Sequence, residues 1–262
     1  MRLKHLLAFS AIAAVSLGSS LQAAVIVSES FESYADSAAM KAVWGGAGNL
    51  GTLDTAFAYS GSKSALHPGG AVNLRNSFGG VTPSATQDLV LSGRIYDGGD
   101  VDGERVTIGL RTGAAPLLEM GHYIDGTLGI PAGSPYAIRA LSLGNGITPS
   151  PNWKPFLIGG NSIPKTAGWH TYEATLSLVD GLTVTLDLGS DGSVDSTLHF
   201  AGDGATAFGN FTDLRFGGPS NLSSTGAANF DDISLALIPE PASLSLAAMG
   251  LIGIIAAARR KS

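Results

Sequence analysis

Residues 171–200 read TYEATLSLVDGLTVTLDLGSDGSVDSTLHF, and the parity of that stretch decides the fold. Apolar side chains fall at Tyr172, Ala174, Leu176 and Leu178, then at Leu182, Val184, Leu186 and Leu188. A period of two on both sides of Val179-Asp180-Gly181 describes two half-buried strands joined tightly. A two-residue Asp-Gly loop would put the two apolar rows on opposite faces. A three-residue loop sets Leu178 against Leu182 and keeps both rows on one face. The expected link is therefore a type I turn with Gly181 left-handed, forming a bulge. By the same rule Leu188 pairs with Val194 across Gly189-Ser193, and Leu198 and Phe200 continue the row.

Further strands are expected at 25–31, 89–95, 106–112, 138–143, 214–216 and 233–237. Turn-rich links separate them, among them Asp97-Gly98-Gly99, Gly144-Asn145-Gly146 and Gly217-Gly218-Pro219. The segment ITPSPNWKP (147–155) has three prolines and reads as a loop. No stretch between the two ends carries a helical apolar stripe. Many short strands at this spacing predict an all-β, antiparallel sandwich or jelly roll.

Both ends of the 262-residue chain read as addresses. The first 24 residues have a basic start (Arg2, Lys4), an apolar run from Leu6 to about Leu17 and small residues up to Ala23-Ala24. That is a signal-peptide layout, with cleavage by signal peptidase expected after Ala23 or Ala24. At the other end, Pro239-Glu240-Pro241 precedes a run at 242–258 without charge, then Arg259, Arg260 and Lys261. The run has 17 residues, the lower limit for a membrane-spanning helix. The cations would hold its end on the cytoplasmic side. The two prolines are expected to stop the preceding strand. The chain thus divides into a signal segment (1–24), a β-sandwich (25–237) and a tail (238–262).

The tail resembles the PEP-CTERM sorting signal of exported bacterial proteins: a Pro-Glu-Pro motif, a hydrophobic segment and a basic end, in that order. The resemblance implies recognition by an exosortase-type membrane protease and transient anchoring through a C-terminal transmembrane helix. It further implies delivery to the surface or exopolysaccharide matrix of a Gram-negative bacterium. Ile238 stands where Val is common in that family. Within the sandwich, Gly168-Trp169-His170 with the hairpin after it, the closing FDDISL (230–235) and the opening Ser30-Phe31-Glu32 resemble laminin-G-like, concanavalin-A-like jelly rolls. That resemblance implies first and last strands lying side by side, and calcium at a loop rim.

The end segments hold five of the 15 basic residues and one of the 21 acids, so ten basic and twenty acidic side chains remain in 25–237. Such a surface disfavours nucleic acid and anionic lipid, and suits cations or neutral glycans. The absence of cysteine excludes disulfides, thiol nucleophiles and thiolate metal sites.

Two acidic loops are candidate calcium sites. DLGSDGSVD offers Asp187, Asp191 and Asp195 around glycines, and YDGGDVDGER offers Asp97, Asp100, Asp102 and Glu104. In each case ordinary turn-capping aspartates, or a solvated acidic loop beside Arg94 and Arg105, explain the same residues. Trp153, Trp44, Tyr96, Tyr123 and Tyr136 fall in or near expected loops, where aromatic faces could stack on sugar rings. Trp153, among prolines, is the leading candidate, whereas Trp169 at a strand start is read as core. Catalysis has little support. The Glu-x-Asp-x-x-Glu strand of jelly-roll glucanases is absent, and so are HExxH and Gly-x-Ser-x-Gly. Glu119 near His122 could form an acid–base pair, although a lone His of this kind is more often an ordinary surface residue. The expectation is a non-catalytic glycan-binding or structural protein, with a secreted polysaccharide-degrading enzyme as the alternative.

Overall fold

A computed structural model describes residues 22–45, 51–69, 73–75, 78–99, 105–113, 116–123, 135–141, 143, 153–202, 208–219 and 226–240. In chain order these contain β1 (Ala24–Glu29), α1 (Ser37–Val43), β2 (Thr52–Asp54), β3 (Ser64–His67), β4 (Asn73–Arg75), β5 (Gln87–Asp97), β6 (Arg105–Arg111) and β7 (Leu117–Tyr123). There follow β8 (Tyr136–Leu141), β9 (Lys154–Pro155), β10 (Leu157–Ile158), β11 (Asn161–Ser162), β12 (Gly168–Ser177) and β13 (Gly181–Leu188). The last three are β14 (Ser196–Phe200), β15 (Asp213–Gly217) and β16 (Ala228–Pro239).

Two antiparallel sheets enclose the core. The larger, of eight strands, runs β14-β13-β12-β5-β16-β3-β2, with β1 also pairing β16. The smaller, of six, runs β4-β15-β6-β7-β8-β9. First and last strands therefore do lie side by side. Strict alternation places Leu89, Leu91 and Ile95 of β5 with Tyr172, Ala174 and Leu176 of β12 on the inner face. Facing them are Ile108, Leu110, Leu118, Met120 and Ile138 of the smaller sheet. A Cβ on Gly93 would lie 2.6 Å from Ile108 Cδ1, so this glycine lets the two sheets close together.

The hairpin that set the fold has the expected faces but a different partner. Leu182 opposes Leu176, not Leu178, and the loop is Leu178-Val179-Asp180 between Ser177 and Gly181. Ser177 Oγ accepts the N–H groups of Val179 and Asp180, each at 3.1 Å, and closes the turn one residue earlier, which moves the cross-strand register by two. A shift of two leaves every side chain on its face. Gly181 is left-handed at φ 93°. The β13–β14 register is the expected one, Leu182 opposite Phe200 and Val184 opposite Leu198. It ends at Leu186 opposite Ser196, where Asp195 Oδ2 takes the Leu188 N–H at 2.7 Å.

Two further differences follow from burial and edge geometry. β7 has no alternating pattern because both its faces are buried. β16 is not stopped before Pro239: it continues, with Pro239 opposite Gln87 and Glu240 N–H bonded to Thr86 O at 3.0 Å. Alternation points the proline's missing N–H away from β5, beyond the end of β1, where no ladder bond is needed. Among the described residues no helix is long and apolar enough to cross a membrane. The signal segment 1–21 and the tail from Pro241 through Arg259, Arg260 and Lys261 lie outside the described residues.

Candidate functional site

The outer face of the larger sheet carries a row of aromatic rings. Parity along β12 sends His170 and Tyr172 inward and therefore Trp169 outward, directly opposite Tyr96 of β5. The Tyr96 and Trp169 rings meet edge-on at 5.5 Å and 63°. The connection between β2 and β3 adds a ring on each side. Phe57 lies 5.2 Å from Tyr96, and Tyr59 lies 6.0 Å from Trp169. Phe57 and Tyr59 are 48% and 38% exposed, a large apolar area to leave in water.

The row is held by buried polar groups beneath it. Asp231 Oδ2 accepts the N–H groups of Tyr59 and Ser60 at 2.9 and 3.1 Å. Asp231 Oδ1 accepts the N–H of Asp232, and burial pushes its carboxyl above the usual range despite these bonds. Asn229 Nδ2 bridges Asp54 and Ser64 at 2.8 and 2.9 Å, and Ser64 Oγ bonds the Phe57 carbonyl. The Arg94 guanidinium lies 3.9 Å from the Tyr59 ring centroid and is neutralised by Asp232 at 2.7 Å. Tyr59 Oη donates to Ser190 O at 3.1 Å. Chemically this is a firm apolar strip with neutral polar borders, suited to the C–H face of a sugar ring.

Of the expected stacking residues, only Tyr96 belongs to this row. Trp44, Trp153 and Tyr123 are buried. Trp44 packs on Phe216 and donates its indole N–H to Glu29 at 3.1 Å. Trp153 stacks flat on Tyr123 at 3.9 Å, so the proline-flanked ring is covered, not displayed. Tyr136 is likewise buried between the sheets. Trp169, read as core from its place at a strand start, is half-buried and faces outward. Its parity relative to His170 and Tyr172 was the signal. Phe57 and Tyr59 had no such signal, because a loop has no face until the fold supplies one.

The candidate calcium ligands are engaged with backbone N–H groups. Asp187 accepts from Asp191 at 3.1 Å and Gly192 at 2.9 Å, and Asp191 accepts from Ser193 at 2.8 Å. Asp97 is buried and accepts from Gly99 N–H at 2.7 Å and Tyr136 Oη at 3.2 Å. Asp100, Asp102 and Glu104 lie outside the described residues. Among the described residues no three His, Asp or Glu side chains converge as a metal site.

Glu119 and His122 do not form an acid–base pair, since they sit on opposite faces of β7. His122 turns inward, its ring 6.1 Å from His170 and 5.5 Å from Tyr136. His170 Nδ1 accepts the Gly189 N–H at 3.0 Å, so Nε2 carries the proton and donates to Thr166 O at 2.7 Å. Burial first, then His122, holds the His170 imidazole below its ordinary range. Burial and the Asp97 charge push the Tyr136 phenol up. Glu119 turns outward in a cross-strand row with Arg215, Gly109 and Arg139. With no side chain at Gly109, Arg215 reaches across β6 to bond Glu119 at 2.8 Å. Arg139 approaches the other carboxylate oxygen at 3.9 Å.

Residues 237–261 match the PEP-CTERM protein-sorting motif. No curated protein matches the chain. Among solved structures, the carbohydrate esterase of the Shiga toxin-encoding bacteriophage phi24B superposes with TM-score 0.51 at 11% identity, covering 83% of this chain and all of that one. The T. cruzi calreticulin globular domain gives 0.49 at 14%, covering 80% and 87%. Alginate lyase Aly36B gives 0.45 at 13%, covering 80% and 95%. At such identities the likeness is one of fold: a jelly-roll-like β architecture joined to a PEP-CTERM sorting tail.

Proposed function

We propose that this chain is an exported protein, released by signal peptidase, sorted by an exosortase through its tail and placed at the cell surface or in the exopolysaccharide matrix. There its sandwich binds glycan without catalysis. The outward-facing row Phe57–Tyr96–Trp169–Tyr59, with its two end rings exposed, carries this reading. Four rings in sequence along a rigid sheet offer a continuous apolar surface to a chain of sugars, and prior ordering of the rings lowers the entropy lost on binding. The acid excess of the sandwich and the neutralised Arg94 favour a neutral polysaccharide over an anionic one.

The reading is tested by presenting the purified 25–237 domain to immobilised neutral and acidic polysaccharides, with and without calcium. Retention on a neutral glycan that is lost in Tyr59→Ala supports it. No retention on any glycan removes it, and release of shortened sugars would assign the polysaccharide-degrading alternative instead.

A further inference from the structure

The sorting motif begins inside the folded domain. The match starts at Leu237, whereas β16 continues to Pro239 and its pairing with β5 continues through Glu240. Leu237, Ile238 and Pro239 oppose Leu89, Asp88 and Gln87, and the Glu240 N–H is bonded to Thr86 O at 3.0 Å. Glu240 is buried, unusual for an acid at the end of a strand. Its Oε1 and Asp88 Oδ1 are both buried without a hydrogen-bond partner. Glu240 and Asp88 lie on one face of the sheet, diagonal neighbours across the ladder, where side chains meet.

A protease needs the backbone of its substrate free to pair with the enzyme. Here the backbone on the amino side of Pro241 is already paired with β5. We propose that the sandwich holds its own sorting motif closed, and that Ile238–Glu240 must unzip from Thr86–Asp88 before the tail is processed. The Asp88 and Glu240 carboxyl groups are the latch. Sharing one proton they bond each other; both ionised they repel. The inference rests on reading 237–261 as a processed sorting tail.

The sign of the pH effect follows. Burial first, then the charges of Asp88 and Asp180, raise the Glu240 carboxyl above its usual range, with the Ser177 hydroxyl opposing. Burial raises Asp88 as well. The closed form therefore binds protons more tightly than the open form. Acid closes the latch, and rising pH loosens it.

The test uses the full chain in a bacterium carrying the processing system, with tail removal followed by pulse-chase. A short Gly-Ser linker inserted between Ile238 and Pro239 moves the motif off the strand and should speed removal several-fold. Removal from the native chain should be slower in mildly acidic medium than in neutral medium. Asp88→Asn should abolish that difference, because an amide donates to ionised Glu240 at either pH. If the linker variant fails to fold, the Asp88→Asn comparison still decides. An unchanged rate with the linker in a folded protein, or an acid effect that survives Asp88→Asn, overturns the latch. A native tail that is never removed sinks the sorting reading itself, and the latch with it.

Discussion

Trp169 and Tyr96 face each other across the β12–β5 ladder on the outside of the larger sheet, their rings 5.5 Å apart. Each fixes the other, and together they form the centre of an aromatic strip whose ends, Phe57 and Tyr59, stand in solvent. Binding and stability should therefore separate at the ends and coincide at the centre.

Tyr59→Ala should weaken glycan binding on the order of tenfold, as removal of a principal contact does. Its thermal midpoint should move little, because Tyr59 is already exposed in the folded protein. Trp169→Ala should weaken binding as much and also lower the midpoint, through loss of the Tyr96 contact. Isothermal titration beside thermal denaturation reads both. Equal binding by Tyr59→Ala and the parent would remove Tyr59 from the site.

The Arg215–Glu119 bridge across Gly109 gives a second expectation. Glu119 is fully buried and Arg215 is 4% exposed, so Glu119→Ala strands a buried cation. A loss of about 3–5 kcal/mol in urea unfolding is expected. Gly109→Val should also destabilise, since a Cβ there would lie 2.3 Å from the Leu118 carbonyl and 3.2 Å from Glu119 Cγ. A Glu119→Ala protein as stable as the parent would contradict the burial.

His170 makes stability depend on pH. Its imidazole is held neutral in the fold by burial, and its pKa lies below the unfolded value of about 6.5. The unfolded chain then binds the extra proton first. The contribution is complete above the unfolded pKa and is lost as pH falls from there towards the depressed folded value. Urea midpoints should decline through that window, and the decline should shrink in His170→Asn. An identical decline in that variant would assign the effect to other groups.

At the hairpin, Gly181→Ala should cost more than about 1 kcal/mol, because φ is 93° and a Cβ would lie 2.2 Å from Phe200 O. Asp187→Ala should cost about 1 kcal/mol, through loss of two turn caps. The second loss should be the same with and without calcium. A calcium-dependent difference in unfolding midpoint would show that Asp187 does more than cap.

Much of the fold was legible because strands write their faces into sequence with a period of two. β5, β6, β12 and β13 show that alternation, and it also decides between facing and opposed rows in the hairpin. The register slipped by two at Ser177, since parity cannot distinguish one even shift from the next; only the hydroxyl closing the turn does. β7 is not legible in the sequence, because a strand buried on both faces has no alternation to read. The candidate site was less legible. The sequence places Tyr96, Trp153, Tyr123 and Trp44 alike in or near loops, but only Tyr96 reaches the outer row, because neighbouring prolines and glycines say where a loop is, not what covers it. Glu119 and His122, three apart, read as partners in the sequence, but the pleat places them on opposite sides.

The sequence by itself determined the strand-built domain, the absence of thiol chemistry and the sorting motif at its carboxyl end, because periodicity, composition and linear order are properties of neighbours along the chain. Tertiary structure alone decided which rings meet water, which acids are already bonded, and that the motif's first residues are part of the last strand. Those outcomes depend on residues far apart in sequence, such as Tyr59 with Asp231 and Glu240 with Thr86. Burial and hydrogen bonding are settled only when the sheets close.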